Sequence, residues 1–259
     1  MCPAITRCAA STPTSTLKIA WTRNPRHFAR LGLPLPDDLR DYVDSTPGQD
    51  LEEFAPLAIR PDDLPDAYAG ARAAHLAPQG WASHCALPPA LTQRGIRVTL
   101  DSGEKYVRTA LAQQLDRVLH PLHAFLPSEQ EVELLWGKVD SWEAAERLAQ
   151  FGPALVVIKA GSRGSLLYER TTGGRWRIPA YPVKVVDVTG AGDAYCGGFM
   201  VGLEETGDPV LACCYGSVSA SFVLQGFGPL HALRYSREEA ERRVDQLLNE
   251  VEVVRSRRG

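Results

Sequence analysis

No run in this sequence is long and apolar enough to cross a bilayer. Its richest stretches, "ALVVI" at 154–158 and "SFVL" at 221–224, fall far short of the roughly 20 residues a spanning helix needs. The opening "MCPAITRCAASTPTSTL" has no apolar core of the secretory kind. It is Ser/Thr-rich and free of acids, a faint transit-peptide trait, but a frayed tail accounts for it. Positive charge is not in excess: 28 Lys and Arg stand against 31 Asp and Glu, a net charge of −3. That excludes the basic field expected of a nucleic-acid or anionic-lipid binder, and the short "RSRRG" end reads as a solvated tail. Of the six cysteines (Cys2, Cys8, Cys85, Cys196, Cys213 and Cys214), none forms C-x-x-C, and a 259-residue chain needs no disulfide staples. The expectation is reduced thiols in a cytoplasmic protein with no membrane and no nucleic-acid partner. The histidines show no metal-ligand spacing. Neither G-x-x-x-x-G-K-[ST] nor a G-x-G-x-x-G after a strand is present, which sets aside P-loop and dinucleotide sites.

What is present is an ordinary globular composition, 44% apolar and 23% charged, enough for a sizeable core. Residues 1–16 read as a disordered tail. Residues 17–71 read as irregular, with Pro25, Pro34, Pro36, Pro47, Pro56, Pro61 and Pro65 breaking it up. A strand at 17–21 and a short helix at 37–43 are expected there. From Arg72 to the end the pattern is regular. Strands are expected at 73–77, 96–100, 123–127, 155–160, 164–169 and 175–180, with "KVVD" (184–187) closing the series. Helices are expected after residue 80, restarted at Pro88–Pro89, then over 106–120, 128–136 and 141–151, and from about 190, 208 and 236. Strands that alternate with helices and are apolar throughout call for an α/β fold, a mostly parallel central sheet with helices on both faces. Ligands of such sheets bind beyond the carboxyl ends of the strands.

One stretch carries chemistry: "VVDVTGAGDAYCGGFMVGL", 185–203. A helix N-terminus leaves backbone N–H groups unpaired and carries partial positive charge. Gly190, Ala191 and Gly192 have almost no side chain, so an anionic group can reach those donors, and phosphate is the natural guest. Asp193, in the first turn, is within reach of a hydroxyl that attacks the phosphate and can take its proton. Asp187 and Thr189 offer oxygens to a cation.

"DVTGAGDAYCGGF" resembles the C-terminal signature, D-T-x-G-A-G-D, of the ribokinase-like (PfkB-type) carbohydrate and nucleoside kinases. The resemblance implies that Asp193 is the catalytic base and that Gly190, Ala191 and Gly192 form the anion hole for the transferring phosphoryl group. In members activated by a monovalent cation such as K⁺, the motif's first acid, here Asp187 with Thr189 beside it, binds that ion. "LVVIKAGSRGSLLY" is similar to the family's strand–loop–strand over the nucleotide phosphates, which assigns Lys159, Gly161, Ser162, Arg163 and Gly164 to ATP. "FLPSEQEVELL" lies where the family carries Asn-x-x-Glu, with the Glu helping to hold Mg²⁺ through water. Glu131 fits that Glu, and Ser128 replaces the Asn. The same spacing is a helix capping box. "GSVSASFVLQGFGPL" resembles the helix and loop lining the adenine pocket, with Gly216, Gly226 and Gly228 in it.

The resemblance runs from about residue 72 onward. The family's opening strand, its sugar-binding Gly-Gly-x-x-x-Asn segment and its β-lid find no counterpart, apart from a lid remnant guessed at in 17–71. The chain is then truncated, or diverged, or completed by a partner. The expected activity is ATP-dependent phosphorylation of a hydroxyl on a sugar or nucleoside. A non-catalytic nucleotide-binding or regulatory protein on the same scaffold is the alternative. A homodimer is among the expected partners, since dimers of this family often use the lid.

Overall fold

Residues 155–158 are buried without exception. Successive strand side chains point to opposite faces, so a strand apolar on both sides must be covered on both. The computed structural model describes residues 52–54, 58–68, 70–102, 107 and 109–254, and it meets that demand. The expected tail, and the strand and helix expected at 17–21 and 37–43, lie outside the described residues. The sheet has seven strands in sequence order: β1 Ala73–Leu76, β2 Arg97–Leu100, β3 Ala124–Phe125, β4 Leu155–Lys159, β5 Ser165–Glu169, β6 Gly174–Ile178 and β7 Glu252–Val253. β1 to β4 are parallel, whereas the pairs β4–β5, β5–β6 and β6–β7 are antiparallel. The α/β class is as expected, with a sheet that is parallel in its first half and antiparallel in its second.

The helices among the described residues are α1 Trp81–Gln93, α2 Asp116–Leu119, α3 Glu129–Trp136, α4 Ser141–Gln150, α5 Ala191–Thr206, α6 Pro209–Leu224 and α7 Arg237–Leu248. Parallel strands laid down in order need crossovers of one hand, which puts the intervening helices on one face. There Trp81, Leu87 and Leu91 of α1, Leu135 of α3 and Leu148 of α4 pack on Val98, Leu100, Val156 and Ile158. On the other face Phe199 of α5, Val218 of α6 and Leu247 of α7 pack on Ala124, Leu155, Val157 and Leu167. No described helix is long and apolar enough to span a membrane.

Three expectations are corrected. α1 runs unbroken through Pro88 and Pro89. The Thr92 hydroxyl donates to the carbonyls of both prolines, at 3.0 and 3.1 Å, and binds the last turn to them. The helix expected over 106–120 is, where described, a 3₁₀ turn at Thr109–Gln114 followed by the short α2. "KVVD" is not a strand. The N–H groups of Val186 and Asp187 donate to the Leu224 carbonyl at the end of α6 (2.8 and 3.4 Å), and Val185, Val186 and Val188 are exposed.

The glycine turn therefore does not sit at the end of its own strand. α5 carries it to the strand ends instead. Glu204, near the C-terminus of α5, pairs with Arg97 at the start of β2 and with Arg72 just before β1. α5 thus runs antiparallel to the parallel strands, and its N-terminus lies toward their carboxyl ends. Its glycines set its distance from α6. A Cβ on Gly198 would stand 2.6 Å from the Tyr215 carbonyl oxygen, and one on Gly216 would stand 2.8 Å from that of Tyr195.

Two outcomes follow from this packing. Gly216→Ala forces the two helices apart and is expected to lower stability by about 1–3 kcal/mol, read as a lower urea midpoint. His84 is fully buried, and its Nε2–H donates to the Ala77 carbonyl at 3.1 Å. Burial pushes its pKa down to about 4. The folded state resists the proton that the unfolded chain takes up below pH 6.5. Stability from this group is complete above pH 6.5 and falls by up to ~3 kcal/mol as pH drops to about 4. His84→Gln should flatten the pH dependence of the unfolding free energy between 6.5 and 5, before the carboxylates titrate.

Candidate active site

Strand parity builds a polar layer under α5. His75 and Thr99 are register partners on β1 and β2, and His75 Nδ1 lies 2.9 Å from the Thr99 hydroxyl. Asp101 continues β2 on the same face. Lys159, the last residue of β4, shares the parity of Leu155 and Val157 and so faces α5 as well. The Lys159 ammonium is ion-paired to Asp101 Oδ2, with side chains only 14% and 8% exposed. Cys196 of α5 closes the group: its Sγ is 3.6 Å from both Lys159 Nζ and Asp101 Oδ2. Burial alone would lower the pKa of Lys159, but the Asp101 carboxylate, through its charge and its hydrogen bond, and Glu131 outweigh it and hold the pKa above its usual value. Burial pushes the Cys196 thiol up, so it stays protonated. Burial pushes His75 down despite Asp101 and Asp193 nearby, which keeps the imidazole neutral.

Over this layer stands the first turn of α5. Gly190 is its N-cap, in the left-handed region at φ 78°, a conformation that favours glycine. It offers no capping side chain. The N–H of Ala191 bonds back to Val188 at 3.3 Å, and the N–H groups of Gly192 and Asp193 have no backbone partner among the described residues. A Cβ built on Gly192 would lie 3.8 Å from Lys159 Nζ, so the ammonium sits beside these free donors. Asp193 is exposed and forms no hydrogen bond or ion pair among the described residues. It lies three residues before Cys196, on the same side of the helix. Beside the turn opens a cavity of about 460 Å³. Lys159, Gly161, Ser162 and Gly164 line one side, and Val183, Val188 and Leu224 form an apolar wall. Gly164 has φ 84°, and a Cβ there would meet the Ile178 carbonyl oxygen at 2.0 Å.

The structure thus brings together Lys159, Gly161, Ser162, Gly164, Gly190, Ala191, Gly192 and Asp193. Other expected site residues go elsewhere. Arg163 turns outward to Glu129. Gly216 is buried against Tyr195, a close-packing residue outside the cavity wall. Gly226 packs against the His231 ring and Gly228 opens the 3₁₀ turn Pro229–Arg234, neither lining the cavity. Asp187 Oδ1 accepts from the Thr189 N–H (3.0 Å) and hydroxyl (2.9 Å), which ties the two into the turn before Gly190. Glu131 is buried and closes a capping box: its Oε2 accepts from the Ser128 N–H (2.6 Å) and hydroxyl (2.9 Å). Burial and the nearby Asp101 raise its pKa. Among the described residues no three His, Cys, Asp or Glu side chains form a ready cation cage.

Sequence reasoning missed Asp101, His75, Thr99 and Cys196. Asp101 left a readable signal, an acid ending the apolar strand "RVTL" at the carboxyl edge of a parallel sheet. The others appear only once α5 is laid across the strands.

The profile of the pfkB family carbohydrate kinases matches residues 85–234. A cytidine kinase of Thermococcus kodakarensis is 32% identical over 155 residues, 58% of this chain and 54% of that protein. A 5-dehydro-2-deoxygluconokinase of Clostridium perfringens is 39% identical over 101 residues, 38% of this chain and 30% of its own. The chain spans about half the length, or less, of the curated relatives it matches. Among solved structures, ribokinase of Thermotoga maritima superposes with a TM-score of 0.56 at 25% identity, covering 70% of this chain and 59% of that one. Fructokinase of Vibrio cholerae, in its fructose, ADP and calcium ion bound form, gives 0.59 at 20% identity, covering 72% and 65%. With the profile covering more than half its residues, the chain belongs to the pfkB family of carbohydrate kinases.

Proposed function

We propose that this chain carries the nucleotide-binding and phosphoryl-transfer machinery of an ATP-dependent sugar or nucleoside kinase. One observation carries the reading. A buried ammonium and a helix N-terminus with free N–H donors converge on one point, and an exposed carboxylate stands in the same turn. Asp101 holds the ammonium beside the positive helix end, and two donors so placed favour an anion between them.

In this reading the adenine ring lies on the apolar wall of Val183, Val188 and Leu224, and the phosphates run past Gly161, Ser162 and Gly164 toward Lys159. Glycine at 164 keeps that loop tight against β6. The acceptor hydroxyl gives its proton to Asp193 as its oxygen bonds to the γ-phosphorus. The bond to the bridging oxygen breaks, and ADP leaves. The N–H groups of the Gly190–Gly192 turn and Lys159 hold the negative charge on the phosphoryl oxygens. Glu131 would hold the water shell of Mg²⁺, which would neutralise phosphate charge when bound. Asp187 and Thr189 are the residues for a monovalent cation.

A second reading is a nucleotide-binding protein without turnover. It is favoured by the Glu131 carboxylate, whose Oε2 is already engaged by Ser128. Both readings are tested by ADP release across cytidine, ribose, fructose and 5-dehydro-2-deoxygluconate, the acceptors that the relatives' names suggest. The kinase reading expects turnover on at least one, falling roughly 10²- to 10⁴-fold in Asp193→Asn while ATP affinity is kept. ATP binding without ADP release on any acceptor supports the second reading. Unchanged turnover in Asp193→Asn removes Asp193 as the base.

A further inference from the structure

We infer that Asp101 is a positioning residue for phosphoryl transfer: it holds the Lys159 ammonium against the first turn of α5, where that charge meets the terminal phosphates. The inference rests on reading the cavity as a nucleotide site and extends it to a residue that does not line the cavity wall.

Lys159 has a long side chain with free rotation, and it is nearly buried beside the positive end of a helix. The helix dipole opposes an ammonium there. Without a counter-charge the side chain would turn toward solvent or lose its proton. Asp101 supplies that charge. Its position is fixed by the sheet: the Asp101 N–H donates to the Leu76 carbonyl of β1 at 3.0 Å, so the carboxylate is anchored to two strands. Cys196 meets Asp101 Oδ2 and Lys159 Nζ at 3.6 Å each, closing the pair from the helix side. The other carboxylate oxygen, Oδ1, is buried with no hydrogen-bond partner among the described residues. A buried pair with an unsatisfied oxygen is a poor source of stability. Its persistence at this point is explained by what it does to Lys159: of the ammonium's three donors, one is spent on Asp101 and one meets the Cys196 sulfur, which leaves the third for the phosphate.

The test is calorimetric titration of the intact chain with ATP and with AMP, which lacks the two terminal phosphates. Asp101→Asn is expected to weaken ATP roughly ten- to a hundredfold and AMP less than about threefold. Lys159→Met is expected to do the same, and Asp101→Asn added to it should cost nothing further, because the residue through which Asp101 acts is gone. Asp101→Glu, which keeps the charge, is expected to restore part of the ATP affinity. If Asp101→Asn alone does not fold, the comparison of Lys159→Met with the double variant replaces it, since neither leaves a buried ammonium unpaired. Equal losses for ATP and AMP, or a further loss in the double variant, overturn the inference. So does wild-type ATP affinity in Asp101→Asn, with the nucleotide reading left intact. A wild-type chain that binds neither nucleotide overturns both.

Discussion

The structure turns on β4. It is buried on both faces, pairs in parallel with β3 and antiparallel with β5, and belongs to both hydrophobic cores. A strand so placed cannot slip by one residue without sending Val156 and Ile158 into the wrong core. That register also decides the chemistry. It puts Lys159, the first residue after the buried run, on the α5 side of the sheet. It starts the loop of Gly161–Gly164 at the rim of the cavity. The core thereby fixes the position of a charge that the core itself does not need.

The second constraint is the approach of α5. Glu204 with Arg97 and Arg72 sets its direction, and glycine at 198 and 216 lets α6 close on it. The exposed arginine pairs contribute little energy each, but they mark which end of the helix meets which end of the strands. The N-terminal turn reaches the carboxyl edge of the sheet this way and not by following a strand of its own. Its peptide N–H groups and the Lys159 ammonium then face one another across less than the width of a side chain.

How far the sequence reveals this depends on range. β4 and the glycine turn were legible because their signals are local: an unbroken apolar run and Gly-Ala-Gly-Asp. "KVVD" was misread because a pair of β-branched residues, Val185 and Val186, looks alike whether it enters a sheet or lies along a helix end. Gly216 was ambiguous because a glycine that admits a helix and one that admits a ligand leave the same letter. The Lys159–Asp101 pair was invisible because its partners are 58 residues apart, and only the order of the parallel strands brings them together.

Charge balance carries the argument one step further. Asp101, Glu131 and Lys159 share one water-poor layer: Glu131 is raised by burial and by Asp101, while Lys159 pulls it back. With both acids ionised, one ammonium leaves a negative charge in excess. A nucleoside triphosphate brings several more, and the free N–H donors of α5 offset only part of them. A cation that comes with the phosphate therefore eases its entry into this layer. In the kinase reading phosphate arrives with a divalent cation, and the buried carboxylates that would repel bare phosphate are the groups that favour the metal-bound form.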